Sequence, residues 1–121
     1  MEDFFTWKAE GVGDKALAVG ADAVIDSNTE DVRERLVDLH GEGESMFGGR
    51  ADTDIYLDAA GVPAVLDTAI ASAKQGATIG VVAVHKQPVP VDLVTLMSHE
   101  ITVVGSMGYP DEFFAVTADL V

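Results

Sequence analysis

Short β-branched runs alternate along this chain with stretches whose apolar residues recur at helical spacing. Ala23-Val24-Ile25-Asp26 is a brief apolar run, and Ser27 with Glu30 after it fits a capping box at a helix start. Val32, Leu36 and Leu39 then fall on one helical face, with Arg33, Glu34, Arg35 and Asp38 on the others. That helix stops in the polar, Gly-rich stretch Gly41 to Gly49. Asp54-Ile55-Tyr56-Leu57-Asp58 reads as a strand that breaks at Ala59-Ala60-Gly61. Pro63 suits the first residue of a helix, where its missing N–H costs nothing, and Leu66, Ala69, Ile70 and Ala73 give that helix one apolar face. Gly76 offers a left-handed cap before the nearly continuous apolar strand Ala77 to Val84. After the connector Gln87-Pro88-Val89-Pro90, Asp92 is placed to cap a short helix through Met97. Ile101 to Gly105 is a further buried strand, and Asp111 to Leu120 a closing helix.

Strands alternating with helices of this length imply parallel pairing with right-handed crossovers, an α/β fold. Strands that are apolar on both faces agree, since helices then cover both sides of the sheet.

Composition narrows the function. With 121 residues and 48% hydrophobic positions, one domain with a modest core is expected. The absence of Cys excludes disulfides, thiolate metal sites and Cys nucleophiles. A formal charge of −14 disfavours nucleic acid and anionic membranes as partners. The acids are dispersed and lysines are few, a pattern shared by salt-adapted and ordinary acidic proteins. No apolar run is long enough to span a membrane, so a soluble cytoplasmic location is expected.

In open α/β sheets ligands lie beyond the carboxyl ends of the strands. Here those ends are Asp26-Ser27, Asp58 to Gly61, Val82 to His85 and Gly105 to Gly108, mostly small residues that let backbone approach a flat ligand or simply turn tightly. Gly11-Val12-Gly13-Asp14-Lys15-Ala16 matches G-x-G-x-x-A, which can seat a pyrophosphate on a helix N-terminus. Its context reads as a decoy. Thr6-Trp7-Lys8-Ala9-Glu10 before it is no apolar strand, and Gly20-Ala21-Asp22 stops the following helix early. Asp26 sits where a ribose-binding acid would, but closer to Gly11 than the usual ~20 residues. Of the histidines, His40 ends a helix, His99 reads as a surface or interface residue, and His85 faces the cleft as the one candidate for ligand contact. No side chain can be assigned as a catalytic acid, base or nucleophile, and no spacing suggests a metal site.

From Lys15 onward the order of segments resembles the zinc-type medium-chain alcohol dehydrogenases, in particular their butanediol and sorbitol dehydrogenase branch. Gly20-Ala21-Asp22-Ala23-Val24-Ile25-Asp26 is similar to that family's "GAD-x-V-I-D", and Asp54 to Gly61 to its "D-V-V-I-D-A-x-G". Gly76 to Val84 resembles "G-G-x-V-V-V-V-G-V", and Ile101 to Tyr109 resembles "x-T-I-x-G-S-x-x-Y". Val89-Pro90-Val91-Asp92-Leu93 also recurs in that branch. The resemblance implies a partial Rossmann-type parallel sheet of about four strands over residues 15–121, lacking the first two strands, after an atypical segment 1–14.

It implies NAD or NADP in the intact enzyme, with weak or absent binding here, and a zinc whose ligands this chain does not carry. Ala59, Ala60 and Gly61 would lie near the adenosine half. Val82, Ala83 and Val84 would line the nicotinamide, and the backbone of Ser106, Met107 and Gly108 would bond its carboxamide. The expected function is a remnant of an alcohol-oxidising, hydride-transferring enzyme, inactive alone. The alternatives are an oligomerisation or binding module on a half-Rossmann scaffold, and a small complete nucleotide-binding domain using Gly11 to Ala16. Missing central strands would leave Ala23–Asp26 without a neighbour and an edge of the Ile55 strand exposed. That strand pair would then rearrange, or two chains would share a sheet. Sedimentation of dilute protein should therefore show self-association; a strictly monomeric, well-folded species would rule this out.

Overall fold

The computed structural model describes residues 4–7, 11–108 and 111–112, with side chains from residue 11 onward. In chain order the elements are β1 (Phe4–Trp7), α1 (Val12–Ala18), β2 (Ala23–Asp26), α2 (Val32–His40), β3 (Ile55–Asp58), α3 (Pro63–Ser72), β4 (Thr78–Val81), α4 (Leu93–Ser98) and β5 (Thr102–Gly105). The helix expected over Asp111 to Leu120 lies largely outside the described residues. The chain divides into two units, Met1–Glu30 with Met107–Val121, and Asp31–Ser106.

In the first unit β1 and β2 pair in parallel, Phe4 opposite Ala23 and Trp7 opposite Asp26, with α1 as the crossover. The buried side chains of Ala16 and Ile25 come from α1 and β2. This corrects two expectations. A strand does precede Gly11, and Ala23–Asp26 has a neighbour, which is β1 and not the Ile55 strand. The capping box is also displaced. Asp31 is the N-cap of α2, accepting from the Glu34 amide at 2.9 Å, while the Glu30 carboxylate takes the Asp26 amide at 2.8 Å. Asp31 wins because the Asp26–Glu30 turn has already used the earlier residues.

The second unit is built on a parallel sheet of order β3-β4-β5, with Ile55, Thr78 and Thr102 in line at its start. Its core combines Leu66, Ala69, Ile70 and Ala73 of α3 with Ala77, Ile79 and Ile101 from the sheet side. Tyr56, Val81, Val89 and Leu96 pack around it. Side chains alternate across a strand, so the face opposite Ile79 carries Ile55, Leu57 and Val104, all exposed. Leu57 lies over Gly80, where a Cβ would sit 2.8 Å from its Cδ2.

The polar stretch after α2 is fastened to this core. Arg50 donates from Nη1 to the carbonyls of Ile70 (2.7 Å) and Ala73 (3.3 Å), closing the carbonyl end of α3. Lys74 bridges Asp52 and Asp54, both at 2.5 Å, and Arg33 Nε donates to the Gly49 carbonyl at 2.8 Å. His99 is not a surface residue; it is 1% exposed. Its Nδ1 lies 3.0 Å from the Ser98 hydroxyl and 3.2 Å from the Thr95 carbonyl, and its Nε2 is hydrogen-bonded with the Ser45 hydroxyl at 3.0 Å. His99 is buried because it links the Gly-rich loop to α4.

Ile79 is fully buried in this core, so Ile79→Ala should lower stability by about 2–5 kcal/mol in urea denaturation. Leu93→Ala, at a position 70% exposed, should change it by less than about 0.5 kcal/mol.

Candidate functional site

Asp58, the last residue of β3, organises the carboxyl end of the sheet. Its backbone carbonyl accepts the amides of Val82 (3.0 Å) and Ala83 (2.9 Å), the two residues that follow β4. Its side chain folds back, and Oδ1 accepts the amides of Ala60 and Gly61, both at 3.0 Å, in an Asx-type turn. Oδ2 meets Nε2 of His85 at 2.6 Å. A carboxylate only accepts, so Nε2 carries the proton of that bond. Asp58 is 2% exposed, and a buried carboxylate persists only with such a set of donors. Burial works to raise its pKa, but the Gly61 amide, the His85 ring and the Ala60 amide outweigh it, and the carboxyl is held below its ordinary value.

The two segments meet closely. Gly61 has φ +68, and a Cβ there would lie 2.7 Å from the Val84 carbonyl oxygen. Only glycine allows that approach. Between these segments opens a cleft of about 430 Å³, lined by Ala60, Gly61, Val84, His85 and Lys86 among others, with Pro63 at the first turn of α3.

The expected site residues are therefore distributed unevenly. Ala60, Gly61 and Val84 line one cleft; Ala59 lies in the same turn, and Val82 and Ala83 are tied to it through their amides. Ser106 follows β5 and donates its amide to the Val81 carbonyl at 3.0 Å. Met107 and Gly108 fall in the other unit, Met107 fully exposed and Gly108 at φ +73. His85 lines the cleft as expected, with Asp58 as a partner that sequence spacing did not single out. The signal was present in Asp58-Ala59-Ala60-Gly61, an Asx-turn pattern at a strand end. His40 bonds the Thr53 hydroxyl at 2.6 Å at the end of α2.

The Gly11–Ala16 motif does follow a strand, and Gly11 stands at φ +75 as the N-cap of α1. The helix it opens has seven residues, as short as the sequence implies. Asp26 at the end of β2 is engaged locally, its Oδ1 accepting the Asn28 amide at 2.9 Å.

A parallel sheet with helical crossovers and a cleft at its carboxyl edge is the architecture of an α/β domain of the Rossmann kind. The sequence signature of the zinc-binding dehydrogenases matches residues 8–121, and the chain belongs to that family. Solved structures share its fold. The 2R,3R-butanediol dehydrogenase of Bacillus subtilis is 24% identical over 97% of this chain and 31% of its own, with a TM-score of 0.77. An alcohol dehydrogenase of E. coli CFT073 complexed with NADH is 18% identical over 99% of this chain and 34% of its own, TM-score 0.77. A zinc-binding dehydrogenase of Sinorhizobium meliloti 1021 bound to NADP is 20% identical over 99% and 34%, TM-score 0.76. The chain thus spans about a third of the length of these proteins. No curated protein matches it. Among the described residues no three His, Asp or Glu side chains converge as metal ligands, and the chain has no Cys, so the described residues do not fit a zinc ion. No described helix is long and apolar enough to cross a membrane.

The lowered pKa of Asp58 links stability to pH. As pH falls, the unfolded chain takes up this proton first, near pH 3.9. The contribution of Asp58 is therefore complete above about pH 5 and is lost as pH falls through the lower folded value. Asp58→Asn should cost about 1–3 kcal/mol at pH 7. It should also flatten the decline between about pH 5 and 3, read by urea denaturation across pH. An unchanged slope would remove Asp58 as the linked group.

Proposed function

We propose that this chain supplies a cofactor-binding surface of an NAD(P)-dependent alcohol dehydrogenase, and that the cleft between the Ala59–Gly61 turn and the Val82–Val84 segment receives part of the dinucleotide. When bound, the nicotinamide accepts or returns a hydride in exchange with an alcohol. The observation that carries the reading is the close seating of Gly61 against Val84 around a buried Asp58, at the carboxyl end of parallel strands. Such an end is where a doubly wound sheet takes its ligand. The small side chains of Ala60 and Gly61 leave room for a flat group. Val84 gives it an apolar wall, and Lys86 places a cation at the rim. The described residues offer no zinc site, so alcohol activation is not assigned to them.

The self-association expected from the sequence belongs to the same proposal, since among the described residues β3 and β5 are the end strands of their sheet, and an end strand can pair with another chain.

A second reading rests on β1. With a strand before it, Gly11–Ala16 has the strand–turn–helix order of a phosphate loop, and the chain would then hold a dinucleotide without help. Calorimetric titration with NADH, in low and in molar salt, separates the two. The cleft alone should bind on the order of 1 mM, about −4 kcal/mol, with amide shifts at Ala60, Gly61 and Val84 in parallel NMR spectra. Micromolar binding with shifts at Gly11 to Ala16 would favour the second reading, and folded protein with no shifts at either place would defeat both.

A further inference from the structure

Beyond β4 the chain runs through Val84 to Val91 before Asp92 caps α4. Among the described residues no backbone hydrogen bond ties this connector to the rest of its unit after the Ala83 amide. Val89 packs on the core, but the part that walls the cleft, Val84 to Gln87, lies ahead of it. Its one described polar tether is the His85 ring on Asp58, made at 2.6 Å to a residue 27 positions away. The same carboxylate holds the opposite wall through the Ala60 and Gly61 amides. A contact between the two sides of one cleft is in the right place to set its width.

We propose that His85 and Asp58 form a latch across the cleft, His85 being a positioning residue that fixes the Val84–Gln87 wall against the Ala60–Gly61 turn at the spacing a bound dinucleotide requires. The latch rests on the reading of this cleft as a cofactor site only for its purpose; the mechanical role stands on the contacts alone. With the Nε2 bond in place, the wall is fixed before any ligand arrives, and binding need not immobilise it. Without that bond, no polar contact among the described residues restrains the wall between Ala83 and Asp92.

The test compares wild type with His85→Ala and His85→Gln, whose side-chain amide can place a donor where Nε2 lies. His85→Asn, too short to reach Asp58, serves if the alanine variant does not fold. Backbone ¹⁵N relaxation reads the wall directly. Order parameters of Val84, Lys86 and Gln87 should be near the rigid value of ~0.85 in wild type and fall below ~0.6 in His85→Ala or His85→Asn, with His85→Gln close to wild type. NADH titration followed by NMR should show the dissociation constant rising at least about fivefold in the variants that lose the donor, a shift worth about 1 kcal/mol, and restored by glutamine. A mobile wall in wild type, an unmoved wall in His85→Ala, or a failure of His85→Gln to rescue would overturn the latch. Weaker NADH binding with unchanged order parameters would also overturn it, by making His85 a direct ligand contact. If the wall responds as expected while no form binds NADH, the latch stands and the cofactor reading falls.

Discussion

A single buried carboxylate holds the working end of this protein together. Asp58 accepts two amides of the β3–α3 turn and the ring of His85 on its side chain, while its own carbonyl takes the two amides that leave β4. An ionised group at 2% exposure would be untenable with fewer donors. The donors in turn are backbone amides and a ring nitrogen with no other partner among the described residues. Charge and turn therefore stabilise each other, and removing either leaves the other unsatisfied inside the protein.

The rest of the second unit puts Asp58 there. Parallel register sets the ends of β3, β4 and β5 side by side, and burial of Ile79 against Leu66, Ile70 and Ala73 fixes α3 over the sheet. Arg50 then closes the carbonyl end of α3 by reaching back from the polar loop, and His99 pins the same loop to α4. The cleft thus stands on rigid elements, with its variable parts confined to the turn and the connector.

Much of this was legible in the sequence, because the alternation of short strands and amphipathic helices is a local signal. Pro63 at the start of α3 and Asp92 as the cap of α4 are positions whose side chains act on their own neighbourhood. What escaped was either unmarked by its residues or long-range. Phe4-Phe5-Thr6-Trp7 lacks the Val- and Ile-rich run of the other strands, so β1 is not legible in the sequence and Ala23–Asp26 is expected to lack a neighbour. Ser27 and Asp31 are both sound caps in isolation, and only the turn closed by Asp26 and Glu30 decides between them. His99 looked polar and terminal, yet its partner Ser45 lies 54 residues away. The Asp58–His85 contact is of the same sort, invisible until two strand ends are laid in register.

The approach of Gly61 to Val84 limits how this cleft can change over generations. Most pocket walls are made of side chains, and a substitution reshapes them one methyl at a time. Here part of the wall is main chain against main chain, with φ +68 at one side and a carbonyl oxygen at the other. No residue but glycine fits without moving the Val84 strand exit, and moving that exit disturbs the amides held by Asp58. Point mutation can therefore redecorate the cleft at Lys86 or Gln87 far more freely than it can remake the seam where Gly61 meets Val84. That seam is inherited with the backbone, as a property of the fold.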